Sequence, residues 1–251
     1  MFRWLLALPL TLALVASSIF LASCSSNGTS QVRVLNAISD GPEVDVSVNG
    51  TKSFTQLSFE SISPGTQPGY TNVPSGGVTV QAFLAGTSNP APPESSFTLN
   101  GSTHYTVILM GFNSVTQGTN EPTAVPITDN NAAPPSGNLE FRIINASPSS
   151  PGGLVDVYIE PNPFNGDLSG LTPQIQALAY QQSSQYQKLT ANPNGSGFAV
   201  IVTPSGNQTT QVIRQNYPST TTGGTITTLV LVDVLNGGEI SPTPVAIDDL
   251  F

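Results

Sequence analysis

Along Val44–Val48, and again along Val155–Ile159, an aliphatic residue occupies every second position, with Asp45 and Ser47 between them in the first stretch and Asp156 and Tyr158 in the second. A period of two places the aliphatic set on one face of a strand and the intervening residues on the other. Two further runs, Tyr105–Phe112 (YTVILMGF) and Thr227–Leu235 (TTLVLVDVL), are apolar enough to be strands buried on both faces. The runs around Val78–Leu84 and Phe198–Thr203 are bounded by glycine, and Asn-Gly and Gly-Gly pairs at 49–50, 76–77, 100–101, 194–195 and 236–237 supply turns between strands. One stretch, Thr172–Leu189, carries a helical signal: Thr172 as cap, Pro173 as first residue, and Ile175, Leu178 and Ala179 on one face. Its counterpart earlier in the chain, Phe54–Tyr70, contains Pro64 and Pro68 and cannot form a long helix, so both are assigned to strand and loop.

The word "counterpart" rests on an internal repeat. VRVLNAISDGPEVDVSV from Val32 answers FRIINASPSSPGGLVDVYI from Phe141; a second block runs from Tyr70 and again from Tyr186; a third pairs Pro122–Asn130 with Pro242–Leu250. Three collinear blocks indicate one duplicated unit. Asp129–Asn138 (DNNAAPPSGN) has the composition of a linker. The expected organisation is residues 1–23 as a signal peptide, 24–30 as a tether, 31–128 as repeat 1, 129–138 as linker and 139–251 as repeat 2. The expected fold class is all-β: two tandem antiparallel β-sandwiches, immunoglobulin-like or prealbumin-like.

The amino-terminal pattern changes the picture of where the protein works. Arg3 is followed by nineteen uncharged residues, Trp4–Ala22, which read as a secretory signal. Leu21-Ala22-Ser23-Cys24 resembles the bacterial lipobox, and Cys24 is the sole cysteine of the chain. The resemblance implies a diacylglyceryl group on the Cys24 thiol, cleavage before it, and acylation of the new terminus, palmitate being the usual class of chain. A multiply acylated terminus holds a protein on a membrane, whereas one chain does so only marginally. Ser25 after the cysteine favours the outer membrane in a cell that has one. The expected location is therefore the cell membrane or outer membrane, on the extracytoplasmic side.

Two short patterns also identify a family. Asn-Ala-Ser-Pro closing a strand, followed by Val-Asp-Val-Tyr-Ile and then a tyrosine before a glycine-rich turn, resembles the bacterial extracellular module known as domain of unknown function 4397. Residues 144–159 fit this better than 35–48, where Ile38-Ser39 stands for Ser-Pro. The resemblance implies a surface or secreted β-domain in two copies, and it brings no catalytic residues.

Charge narrows the partners. Without residues 1–23 the chain carries five basic and fifteen acidic side chains, a balance opposed to nucleic acid, whose binding needs clustered cations. With one cysteine there is no internal disulfide. His104 is the only histidine, so any hydrolase would have to use it as base, and a typical zinc site lacks ligands. Calcium would have to be held by Asp40, Glu43 and Asp45, a cluster that repeat 2 does not reproduce. No cofactor or metal is expected, and no enzyme activity. Arg33 and Asp45, with Arg142 and Asp156, are expected outward on antiparallel neighbours, pairing across the ladder as structural ion pairs. Tyr158 is expected on a solvent face, where with Tyr180, Tyr186 and Tyr217 it supports carbohydrate binding as the alternative to an envelope structural or binding module. Membrane attachment through Cys24, with envelope proteins or glycans as further partners, completes the reading.

Overall fold

A computed structural model describes residues 28–64, 69–114, 120–191, 196–217 and 224–250. The expected signal peptide and Cys24 lie outside the described residues. The fold is all-β: among the described residues the regular elements are strands, apart from one helical turn at Pro151–Gly153.

The first sandwich contains β1 (Thr29–Asn36), β2 (Val44–Val48), β3 (Thr51–Leu57), β4 (Ile62–Ser63), β5 (Thr71–Pro74), β6 (Gly76–Leu84), β7 (Pro90–Leu99), β8 (His104–Met110) and β9 (Thr123–Thr128). One sheet has the order β4-β1-β8-β9, with β5 also on β1, and the other the order β3-β2-β6-β7. The second sandwich contains β10 (Asn138–Asn145), β11 (Leu154–Pro161), β12 (Ile175–Ala179), β13 (Gln187–Thr190), β14 (Phe198–Pro204), β15 (Ile213–Tyr217), β16 (Ile226–Leu231) and β17 (Val245–Asp248). Its sheets, β13-β10-β16-β17 and β12-β11-β14-β15, repeat the same connectivity. The stretch with the helical signal forms β12 and β13. β1 starts at Thr29, inside the span expected of the tether, and Thr29 already pairs with Pro74.

The sandwiches are not wholly antiparallel, which departs from the expectation drawn from the spacing of short strands. β1 runs parallel to β8 and β10 parallel to β16. The reason is a change of sheet: after Asn36 and Asn145 the chain crosses to the opposite layer, so the sequence neighbours β1 and β2 never pair. Each asparagine braces the crossing. Asn36 Nδ2 donates to Leu57 O and Asn145 Nδ2 to Leu178 O, while their Oδ1 atoms accept from the backbone two residues on.

Alternation along the central strands builds two cores at once. Val32, Val34, Tyr105, Val107 and Leu109 point into the first sandwich, and Phe141, Ile143, Leu229 and Leu231 into the second. The intervening residues, Leu35, Ile108, Met110, Ile144, Val230 and Ile247, form one further cluster shared by both sandwiches. The β1–β8–β9 and β10–β16–β17 layers therefore pack face to face, which is why YTVILM and TTLVLV are apolar on both sides.

The outer sheets differ. In repeat 1 the outward positions Ser47, Thr79 and Gln81 are polar, and β2 turns tightly into β3 through Asn49-Gly50. In repeat 2 the equivalent positions are Tyr158, Ala199 and Ile201, and β11 is joined to β12 by the longer segment 162–174. Leu168, Phe164 and Leu171 from that segment cover them. Arg214 Nη2 donates to Phe164 O at 2.7 Å and Gln211 Nε2 to Gly166 O at 2.6 Å, holding the cover down. Tyr158, expected at a solvent face, is consequently buried, with its hydroxyl accepting from Gln208 Nε2 at 3.2 Å.

Leu168→Ala should detach this cover. Its side chain is buried in the small outer cluster, so a loss of about 2–3 kcal/mol is expected in chemical denaturation, with new protease cleavage between residues 162 and 174. Unchanged resistance to cleavage would contradict the packing role.

Candidate functional site

The most concentrated polar chemistry lies where the two inner layers meet, at the end of the body where β1 and β10 begin. Arg33 follows Val32 on β1 and so faces the shared cluster rather than the sandwich core; Arg142 occupies the same place on β10. Thr106 and Thr228 lie beside them on the parallel partners β8 and β16. Asp129 and Asp249 follow directly on the last strands, β9 and β17. All six are buried.

The contacts form a reciprocal pattern. Arg33 Nε donates to Thr106 Oγ1 at 2.8 Å, Nη1 to Asp248 O at 2.8 Å, and Nη2 to Asp249 Oδ1. Arg142 Nε donates to Thr228 Oγ1 at 2.9 Å, Nη1 to Thr128 O at 2.7 Å, and Nη2 to Asp129 Oδ1 at 2.6 Å. Each guanidinium thus makes its closest ion pair with the aspartate of the other repeat. The aspartate of its own repeat lies farther off: Arg33 to Asp129 is 3.5 Å, against 2.6 Å for Arg142 to Asp129.

Two tyrosines close the arrangement. The Tyr70 ring lies over Arg33, 4.8 Å from centroid to guanidinium carbon, and Tyr186 over Arg142 at 4.6 Å. Their hydroxyls donate to Asp129 and Asp249, each at 2.8 Å. Thr106 and Thr228 donate to the same two carboxylates. The fixed fork of arginine suits such a site, since each guanidinium nitrogen finds an acceptor and the flat face finds a ring.

Electrostatics agree with the geometry. For Arg142, burial works against the charge, but Asp129, Tyr186 and Asp249 outweigh it and raise its pKa. Burial, and then the Asp129 carboxylate despite Arg33, push the Tyr70 hydroxyl well above the ordinary phenol range. Tyr186 is raised chiefly by burial. Both phenols stay protonated and act as donors. Burial and the Asp129 charge raise the Asp249 carboxyl, opposed by Arg142, Arg33 and Thr228.

The expected pairs Arg33–Asp45 and Arg142–Asp156 do not form. Arginine and aspartate lie in different sheets, because the chain changes layer between them. Asp45 and Asp156, expected outward and exposed, are buried and pin local backbone. Asp45 accepts from Gln56 N at 2.9 Å, Gly86 N at 3.0 Å and Lys52 Nζ at 2.8 Å. Asp156 accepts from Ala177 N at 2.7 Å, Gly206 N at 2.8 Å and Ser205 Oγ at 3.0 Å. Gln56 and Ala177 both have positive φ, 56° and 50°, where β3 and β12 bulge. The aspartate opposite each bulge receives the N–H that the ladder loses.

The other candidates are dispersed. His104 begins β8, half-buried, with Tyr70 edge-on at 4.9 Å, and burial lowers its pKa. Asp40 accepts from the backbone of Asn113 and Ser114, away from Asp45. Among the described residues no cluster of three or more His, Cys, Asp or Glu side chains is arranged to hold a metal ion. An open cleft of about 850 Å³ lies beside Asp156 on the second sandwich, edged by Gln176, Asn207, Gln208 and Thr209.

Sequence reasoning did not connect Asp129 and Asp249 with the arginines, although they stand at matching places in the third repeated block, PTAVPITDN and PTPVAIDDL. That alignment was the available signal. Thr106 and Thr228 sit within runs that otherwise read as apolar.

The family described as a domain of unknown function (DUF4397) matches residues 30–158, just over half of the chain, covering the first sandwich and continuing through β10 and most of β11. No curated protein matches the chain.

Arg142→Leu should cost about 3–5 kcal/mol in chemical denaturation, because it leaves two buried carboxylates facing one guanidinium. A loss within 0.5 kcal/mol would contradict the network. A pH effect is expected at Asp45, where Lys52 and two backbone N–H groups hold the carboxyl below its ordinary value despite burial. A depressed acid stabilises the fold above its unfolded value near ~4 and loses that contribution as pH falls through the folded value. Asp45→Asn should therefore be about 1–3 kcal/mol less stable at pH 7, and the gap to the parent should narrow below about pH 4. A constant gap from pH 7 to 3 would refute the assignment.

Proposed function

The chain belongs to the DUF4397 family, and from that premise we propose that it is a lipid-anchored, extracytoplasmic envelope protein whose two sandwiches, the second being a further copy of the module, act as a non-catalytic structural or binding unit. The observation that carries this reading is the apolar run ending in Leu21-Ala22-Ser23-Cys24, followed so soon by folded chain: Gly28 O already accepts from Ser75 N at 2.9 Å. An acylated Cys24 thus joins a packed body through a very short connection. The polar residues shared by both repeats support a scaffold role, since Arg33 and Arg142, Asp45 and Asp156, Asn36 and Asn145 are each engaged in holding the fold.

A second reading, carbohydrate binding, is favoured by the amide-edged cleft beside Asp156. A glycan panel distinguishes the two: saturable binding weakened by Gln176→Ala supports the sugar.

Mass spectrometry of the native protein should find a chain beginning at Cys24 with a thioether-linked lipid and an acylated amine. Cys24→Ala should move the protein from the membrane fraction to an unlipidated pool. An unmodified thiol on a membrane-bound chain would overturn the proposal.

A further inference from the structure

The orientation of the body on its membrane follows from where the folded chain begins. From Cys24 to Gly28 there are four residue steps, and an extended chain covers at most ~3.3–3.6 Å per residue, so Gly28 lies within about 14 Å of the lipid attachment. Gly28 is fixed on the body by Ser75, whose N–H and Oγ both donate to its carbonyl, and Ser102 N donates to Thr29 O beside it. The turns at Ser75–Gly77 and Asn100–Thr103 are therefore held at that distance too.

The second sandwich is turned the same way. The Arg33–Asp249 and Arg142–Asp129 pairs join the two repeats near this end, and Asn236 N donates to Ser39 O at 2.9 Å, joining them at the other. β1 and β10 both start at the tether end, as does the linker segment 130–137.

Charge is distributed unevenly along this axis. Asn49-Gly50, Ser75–Gly77, Asn100–Thr103 and segment 130–137 carry no charge; Glu140, whose carboxylate accepts from Asn130 Nδ2, its ladder partner Lys188, and Glu160 and Asp248 stand on strands nearby. The opposite pole gathers Asp40, Glu43, Glu60 and Glu121 from repeat 1 with Glu239 from repeat 2, while Asp233 there is buried against Ser147 and Ser149; the loops of that pole contribute no basic side chain among the described residues, and Lys52 Nζ, which reaches Thr87 O from β3, is paired with Asp45. The exposed large aliphatic residues of the described chain, Leu84, Leu154 and Leu235, also lie at that pole.

We propose that the molecule stands on the bilayer on its tether end, with these uncharged turns against the lipid head groups and the acidic, leucine-bearing pole of both repeats directed away from the membrane. The inference rests on acylation of Cys24 and adds the surface that meets the lipid. An anionic leaflet repels the acidic pole, and that repulsion fades within a Debye length of about 8–10 Å. An eight-residue strand such as β1 is ~26 Å long at about 3.3 Å per residue, enough to carry the pole beyond it.

The test uses full-length lipidated protein in vesicles of phosphatidylethanolamine and phosphatidylglycerol containing a headgroup-nitroxide lipid. Ser102→Cys and Thr209→Cys are labelled separately with a thiol-reactive fluorophore, the Cys24 sulfur being blocked by lipid; Asn100→Cys and Glu239→Cys provide a second pair. Quenching at least threefold stronger at Ser102 and Asn100 than at Thr209 and Glu239 is expected. Equal or reversed quenching on vesicles that carry the protein in flotation overturns the orientation and leaves the anchor intact. Failure of the protein to float with vesicles overturns both.

Discussion

The exchange of ion pairs between the repeats is the constraint on which the architecture depends. Four charges in a space closed to water are tolerable only if every one is matched, since an unpaired buried charge costs several kcal/mol. Here each arginine finds its nearest carboxylate on the other repeat, and threonine, tyrosine and main-chain groups fill the remaining hydrogen-bond capacity. Sliding or rotating one sandwich against the other would break both pairs at once. The apolar cluster beside the network supplies adhesion without direction, while the network supplies the register.

That arrangement also gives the presence of two sandwiches of one connectivity a physical role. A single repeat has its own core, but also an apolar inner face and an arginine whose closest partner lies elsewhere. Two copies in one chain cover both faces at a fixed stoichiometry. The reciprocity of the contacts, with Arg33 to Asp249 answering Arg142 to Asp129, is the pattern of an isologous interface realised within one polypeptide.

Where the copies differ, the difference is outward. Repeat 1 keeps Ser47, Thr79 and Gln81 on its outer sheet and a two-residue turn between β2 and β3. Repeat 2 places Tyr158, Ala199 and Ile201 there and lays the segment 162–174 across them. Apolar substitution and insertion go together because either alone would be unfavourable: an uncovered apolar face meets water, and a cover on a polar face gains little. The bulge-pinning aspartates are kept in both, since the positive-φ residues Gln56 and Ala177 need an acceptor for an N–H turned out of the ladder.

The sequence by itself determined the all-β class and the burial of YTVILM and TTLVLV on both faces, because alternation and turn residues are local properties of a chain; the two sandwiches share one strand order, as the repeated blocks led one to expect. Only the tertiary structure decided who pairs with whom. Arg33 and Asp45 look like neighbours along the sequence, yet the crossing after Asn36 sends them to different layers, and Tyr158 looks solvent-facing until an insertion covers it. Asp129 and Asp249 were visible as matching letters, but which arginine each meets, Arg142 for Asp129 at a separation of 13 residues and Arg33 for Asp249 at 216, depends on how two sheets dock, and no local period records that.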